Sequence, residues 1–141
     1  MPTLLVSSLT LAVLWAATPL AAQQGPPVPA HPPDSVPGDL YHDSVMVADS
    51  HGLRWSRAVI AIHFTASASQ ADRRSAIDSI RGAVVGGIAL FEDGYYLVRV
   101  PHDTTLAGVD AALATLRQLS SVKSAMRIAA PLQPAIQPHP R

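Results

Sequence analysis

Hydrophobic and polar positions along this chain repeat with two different periods. In "RAVIAIHFT", residues 57–65, Ala58, Ile60, Ile62 and Phe64 fall on one side, and Arg57, Val59, Ala61 and His63 on the other. That period of two predicts a strand. In "SASQADRRSAIDSIRG" the period lengthens, and Ala76, Ile77 and Ile80 form a helical stripe. Ser69 and Asp72 have the spacing of a capping box, and Gly82 suits the left-handed turn that ends many helices. The period returns to two in "AVVGGIALFEDGYYLVRVP", residues 83–101. Val84–Ile88 and Tyr95–Val100 are two strands joined by the Asp93-Gly94 turn signal, and Gly86-Gly87 predicts a bulge or close backbone approach. Tyr96, Val98 and Val100 share one side; Tyr95, Leu97 and Arg99 share the other. After Pro101, Leu106, Val109, Ala112, Leu113 and Leu116 mark a second helix, with Thr104 or Thr105 as its cap. "VKSAMRIA", 122–129, is a last strand with Val122, Met126 and Ile128 alternating.

The order strand-helix-strand-strand-helix-strand predicts an α+β fold. Its natural packing is the split strand-helix-strand, or ferredoxin-like, plan: a four-stranded antiparallel sheet with two helices on one face. The helices would cover Ile60, Ile62, Phe64, Val98 and Val100. The second face carries Val59, Ala61, His63, Tyr95, Leu97 and Arg99, and none of these six elements covers it. A bare face with this apolar content points to a partner, unless residues 40–50 lie over it.

The flanks divide the chain. Residues 1–22, "MPTLLVSSLTLAVLWAATPLAA", have no charged side chain and an apolar run from Leu4 to Ala17, which is a signal-peptide pattern. Export to a secreted or periplasmic location follows, with no membrane contact after cleavage; anchoring by an uncleaved signal is the rival reading. Residues 23–38 are proline-rich and read as a solvated linker. Residues 39–56 hold a lead-in strand, Ser44–Ala48, and a turn at 50–52. Residues 57–130 are the domain, and 131–141 a second proline-rich tail.

Composition narrows the chemistry. The formal net charge is zero, which argues against nucleic acid as a partner. With no cysteine, disulfides, thiolate metal sites and thiol catalysis are excluded. The six histidines are scattered without a zinc-helix spacing. "YHDS" at 41–44 and "DSHG" at 49–52 put His, Asp and Ser side by side, whereas a catalytic triad is assembled across space. Glu92-Asp93 is a paired carboxylate in a turn. The expectation is a non-enzymatic protein without cofactor or metal.

Residues 57–130 resemble the propeptide of subtilisin-type serine proteases and the free inhibitors of that fold. The resemblance is carried by "AVIAIHF", "SQADRRSAIDSIRGAVVGG", "YYLVRVP" and "LAGVDAALATLRQLSSVKSA", in the family's order. It implies that the second sheet face (Val59, Ala61, His63, Tyr95, Leu97 and Arg99) docks on a subtilisin-like serine protease in trans. It implies that Glu92 and Asp93 cap two protease helices, where helix dipoles favour negative charge. It also implies that Ile128, Ala129, Ala130, Pro131 and Leu132 approach the active-site cleft. Prolines 131 and 134 depart from that pattern, because they lack the donor that strand-like cleft binding uses. The 141 residues hold none of the catalytic-domain motifs. The expected role is therefore an inhibitor or folding chaperone, or an orphaned propeptide; the alternative is a binding module of the same fold with another protein or ligand. Covering of the second face by residues 40–50 would favour that alternative.

Overall fold

The computed structural model describes residues 28–90 and 93–131. The signal-like segment 1–22, Glu92, Leu132 and the rest of the tail lie outside the described residues. In chain order the elements are β1 (Met46–Ala48), β2 (Arg54–Phe64), α1 (Gln70–Ser79), β3 (Ala83–Leu90), β4 (Asp93–Arg99), α2 (Ala107–Leu116) and β5 (Val122–Ala129), with a 3-10 turn at Asp43–Val45 before β1. The fold is α+β. All strand pairings are antiparallel. Ile60, Ala61 and Ile62 pair with β4 on one side and β5 on the other, and β3 lies beyond β4, so the order across the sheet is β5-β2-β4-β3. β1 pairs with the first residues of β2, which makes that strand three residues longer at its start than 57–65 suggested.

Both helices pack into one core. Ala76, Ile77 and Ile80 from α1 and Val109, Ala112, Leu113 and Leu116 from α2 join Ile60, Ile62, Phe64, Tyr96, Val98 and Val100. These are the stripes the two periods mark out, and their burial is the main apolar gain of the fold. The start of α1 follows from local chemistry. The Ser69 hydroxyl accepts the Asp72 N–H at 3.1 Å, and the Asp72 carboxylate accepts the Ser69 N–H at 2.9 Å, closing a capping box. Its end differs from expectation: the left-handed residue is Arg81 (φ 50°), not Gly82. Gly82 is needed for space instead, since a Cβ there would lie 2.6 Å from Val98 Cγ1. The second helix begins after Leu106, which makes no side-chain cap; Thr105 Oγ1 accepts the Ala107 N–H at 3.1 Å one position earlier.

The strict alternation fails in three places, each at a register shift. Between Trp55 and Ile60 the β2–β5 register slips, and Ser56 Oγ, fully buried, accepts the Val59 N–H at 3.0 Å. Ala58 therefore joins Val59 in the second core rather than Ile60 in the first. A second shift, between His63 and Phe64, puts Val122 against the helix-side core and leaves Met126 on the opposite face. The third is the expected bulge, at Val85 just before the glycine pair.

Residues 28–38 are not a solvated linker. Val28 is buried in the helix-side core, and Tyr96 donates its hydroxyl proton to the Pro29 carbonyl at 2.8 Å. Ser35 and Gly87 exchange two backbone hydrogen bonds, 3.2 and 2.8 Å, so this strap pairs with the outer edge of β3. A Cβ on Gly86 would collide with the Ser35 carbonyl oxygen, and one on Gly87 with that of Pro33. Proline content implied an unpaired backbone. The strap needs few donors, because Val28 is buried and the Val28, Pro29 and Ser35 carbonyls accept from Gln70, Tyr96 and Gly87.

Candidate functional site

Residues directly opposite across antiparallel strands share a face. The second face can therefore be laid out in rows. His63 pairs with Ser124 on one side and neighbours Tyr95 on the other, and Tyr95 pairs with Ile88. The next row is Met126, Ala61, Leu97 and Gly86; beyond it Val59 pairs with Arg99. The sequence thus assembles the expected face residues on one surface.

That surface is not bare. Leu40, 2% exposed, forms a second core with Ala58, Val59, Ala61 and Leu97, and Val45, Val85, Tyr95 and Ile128 pack around it. Val59 and Leu97 are each 1% exposed. The expectation that Val59, Ala61 and Leu97 present themselves to a partner is corrected: they lie beneath the chain's own residues. His63, Tyr95 and Arg99 are half-buried. The His63 and Tyr95 rings lie 5.2 Å apart at 57°.

The covering segment is a flap, residues 38–45, between the Ser35–Gly87 bridge and the Met46–Ser56 pairing. Three short turns shape it: Leu40 N–H to Pro37, His42 N–H to Asp39 and Val45 N–H to His42. Arginines of the sheet grip its rim. Arg99 Nη2 donates to both Asp39 oxygens, Arg54 donates to Asp43 at 2.5 Å, and Arg57 donates to the Ser44 carbonyl at 2.6 Å. The Arg99 hydrogen bond holds the Asp39 carboxyl below its ordinary pKa, and the Arg54 hydrogen bond does the same for Asp43. The "YHDS" side chains meet only in part. His42 Nδ1 lies 2.8 Å from Ser44 Oγ at the start of the 3-10 turn, while Arg54 takes the Asp43 carboxylate.

The far end of the face is open. Ile88 (40% exposed) and Leu90 (49%) project there beside half-buried Tyr95 and His63, and Met126 (41%) is exposed one row back on the opposite outer strand, β5. None of the three was singled out as a face residue in the sequence. Ile88 and Leu90 could have been, since they continue the period of two past Gly86 toward the hairpin; Met126 was hidden by the register shift. Leu90 pairs with Asp93 and Ala89 with Gly94, so this patch adjoins one member of the acidic pair, and Asp93-Gly94 stand in a strand and not in the turn the sequence predicts. Of that pair, Asp93 opens β4, and Glu92 lies outside the described residues.

The tail expectation is also corrected. Ile128 packs in the second core, Ala129 pairs with Trp55, and the Ala130 N–H donates to the Arg54 carbonyl at 2.8 Å. Their backbone and side chains belong to the sheet, so they do not form an arm free to enter a cleft. Pro131 is exposed beside a groove of about 470 Å³ that also involves Tyr41, Leu53 and Arg54. Leu132 lies outside the described residues.

Among the described residues, no group of three or more His, Asp or Glu side chains could hold a metal ion, and no helix is long and apolar enough to cross a membrane. Comparison with family models, curated proteins and solved structures finds no match to this chain.

Proposed function

We propose that this chain is an exported, non-enzymatic binding module, and that its partner surface is the open end of the second sheet face. The observation that carries this reading is the exposure of Ile88, Leu90 and Met126, each by at least two-fifths, on the two outer strands β3 and β5, whose other large apolar side chains are half-buried. Ile88 and Leu90, two residues apart on β3, form with the adjacent Tyr95 of β4 an apolar patch of the kind that marks a protein contact, and Met126 adds exposed apolar surface across the face on β5. The covered centre of the face favours a partner that takes only this end, hence a module distinct from a whole-face docker.

A subtilisin-like serine protease is the second reading, as the target of an inhibitor or folding helper. In its favour are the ferredoxin-like order β5-β2-β4-β3, the crossing helices after the first and third of these strands in chain order, and the position of the open patch beside the acidic hairpin. The sheet-bound residues 128–130 argue for contact away from the cleft, so inhibition would be weak or absent while binding persists. Surface plasmon resonance of residues 28–141 over immobilised, active-site-blocked subtilisin-like proteases tests this directly. Binding lost on Ile88→Asp supports the protease reading. No binding to any of several such enzymes at micromolar concentration removes it and leaves the general module.

A further inference from the structure

We propose that residues 38–45 form a displaceable flap, an intramolecular occupant of the second sheet face that a protein partner with an apolar contact surface must displace to use the whole of it. The inference rests on the reading that this face binds a partner. The flap is bounded by firm points. Ahead of it, Val28 is in the helix-side core and Ser35 is bridged to Gly87; behind it, Met46 pairs with Ser56. Between these, Leu40 is the one side chain of residues 38–45 that is fully buried. The turns that shape the flap close on residues 37–45 themselves. Its ties to the sheet are the apolar contacts of Leu40 and, at its trailing end, half-buried Val45, the Asp39–Arg99 and Asp43–Arg54 ion pairs, and the Arg57 bond to Ser44, with both ion pairs well exposed. Exposed ion pairs contribute little and are weakened by salt. Gly38, at the flap's leading end, meets nothing within 4 Å of where a Cβ would stand, so no packed side chain holds the flap down there. Lifting Leu40 would join Val59, Ala61 and Leu97 to Ile88, Tyr95 and Met126 as one continuous apolar strip across three rows of the sheet.

The opening can be measured without any partner, because the native chain has no cysteine. A single thiol is placed under the flap (Ala61→Cys) or in the helix-side core (Ala76→Cys), both at buried alanines. Labelling with a thiol reagent is followed as a function of urea, with circular dichroism confirming that each variant is folded. Local opening predicts that Ala61→Cys labels faster than Ala76→Cys by on the order of a hundredfold, with a shallower urea dependence. Adding Leu40→Ala speeds labelling at 61 more than at 76, and 1 M sodium chloride does the same. Equal rates and equal urea slopes at the two sites overturn the proposal, since only global unfolding then exposes the face. If Ala61→Cys does not fold, amide exchange in the unmodified chain decides. The Leu40, His42 and Val45 amides must exchange by a shallow local route while those of Ser35 and Gly87 stay protected; common protection of all five overturns the flap. A fixed flap leaves binding through the open end intact, whereas an opening flap with no binding partner removes the function and keeps the device.

Discussion

Arg99, in β4, donates from one nitrogen to both carboxylate oxygens of Asp39, at 2.9 and 2.8 Å, and so joins the centre of the sheet to the segment that crosses it. The bond holds Asp39 below its ordinary pKa, and this gives the contact a direction in pH. The unfolded chain binds the proton more readily than the folded one. The stabilisation is therefore fully present above about pH 4 and is lost as pH falls through the depressed native value. Asp39→Asn removes the same dependence. The stability difference between parent and variant, read from urea denaturation, should be constant from pH 5 to 7 and shrink steadily below pH 4.

The capping box of α1 makes a second, local prediction. Ser69→Ala deletes the acceptor for the Asp72 N–H and leaves the Asp72 carboxylate only the backbone N–H of residue 69, removing the hydroxyl hydrogen bond that is the first cause of its lowered pKa. A loss of about 1 kcal/mol in global stability is expected. The Asp72 carboxyl, followed by carbon-13 NMR, should titrate at higher pH in the variant.

Gly86→Ala and Gly87→Ala test the strap. Each new methyl falls on a backbone carbonyl of residues 33–35, which cannot rotate aside as a flexible side chain could. The strap must then leave its place against β3, at a cost of about 1–3 kcal/mol. The amides of Ser35 and Gly87 should lose protection together, and the Tyr96 hydroxyl should lose its bond to Pro29. Gly38→Ala, with open space around it, should leave both reporters unchanged.

Ile88→Asp and Met126→Lys test the open patch. Both side chains are exposed, so each change should shift stability by no more than about 0.5 kcal/mol. Affinity for a partner that docks there should fall tenfold or more, as is usual for a truncated anchor. Leu113→Ala supplies the contrast: buried between α2 and the sheet, it should lose about 2–4 kcal/mol of stability without altering the patch.

The helix-side core was legible because two periods met in it. The stripe Ala76-Ile77-Ile80 and the alternation of Ile60, Ile62 and Phe64 each demand a partner, and each finds the other. The Ser69–Asp72 box was legible from spacing alone, as was the close backbone approach at Gly86-Gly87. The second face was half legible. Its membership followed from alternation in β2 and β4, and residues 40–50 were its one candidate cover; which side chain does the covering was not legible, because Leu40 has no periodic signal around it. A single leucine is invisible to pattern analysis and sufficient to close a small apolar surface. β5 shows the opposite case: Val122, Met126 and Ile128 alternate regularly, but the slip between His63 and Phe64 turns Val122 to the helix-side core while Met126 and Ile128 stay on the second face.

The stretch from Val28 to Leu40 touches one layer of the protein at its first residue, the sheet margin at its middle and the opposite layer at its last. A single nick between Pro29 and Asp39 would untie both hydrophobic layers in one event. Pro29, Pro32, Pro33 and Pro37 stand in that span, where fixed backbone angles discourage the extended fit that most proteolytic enzymes require.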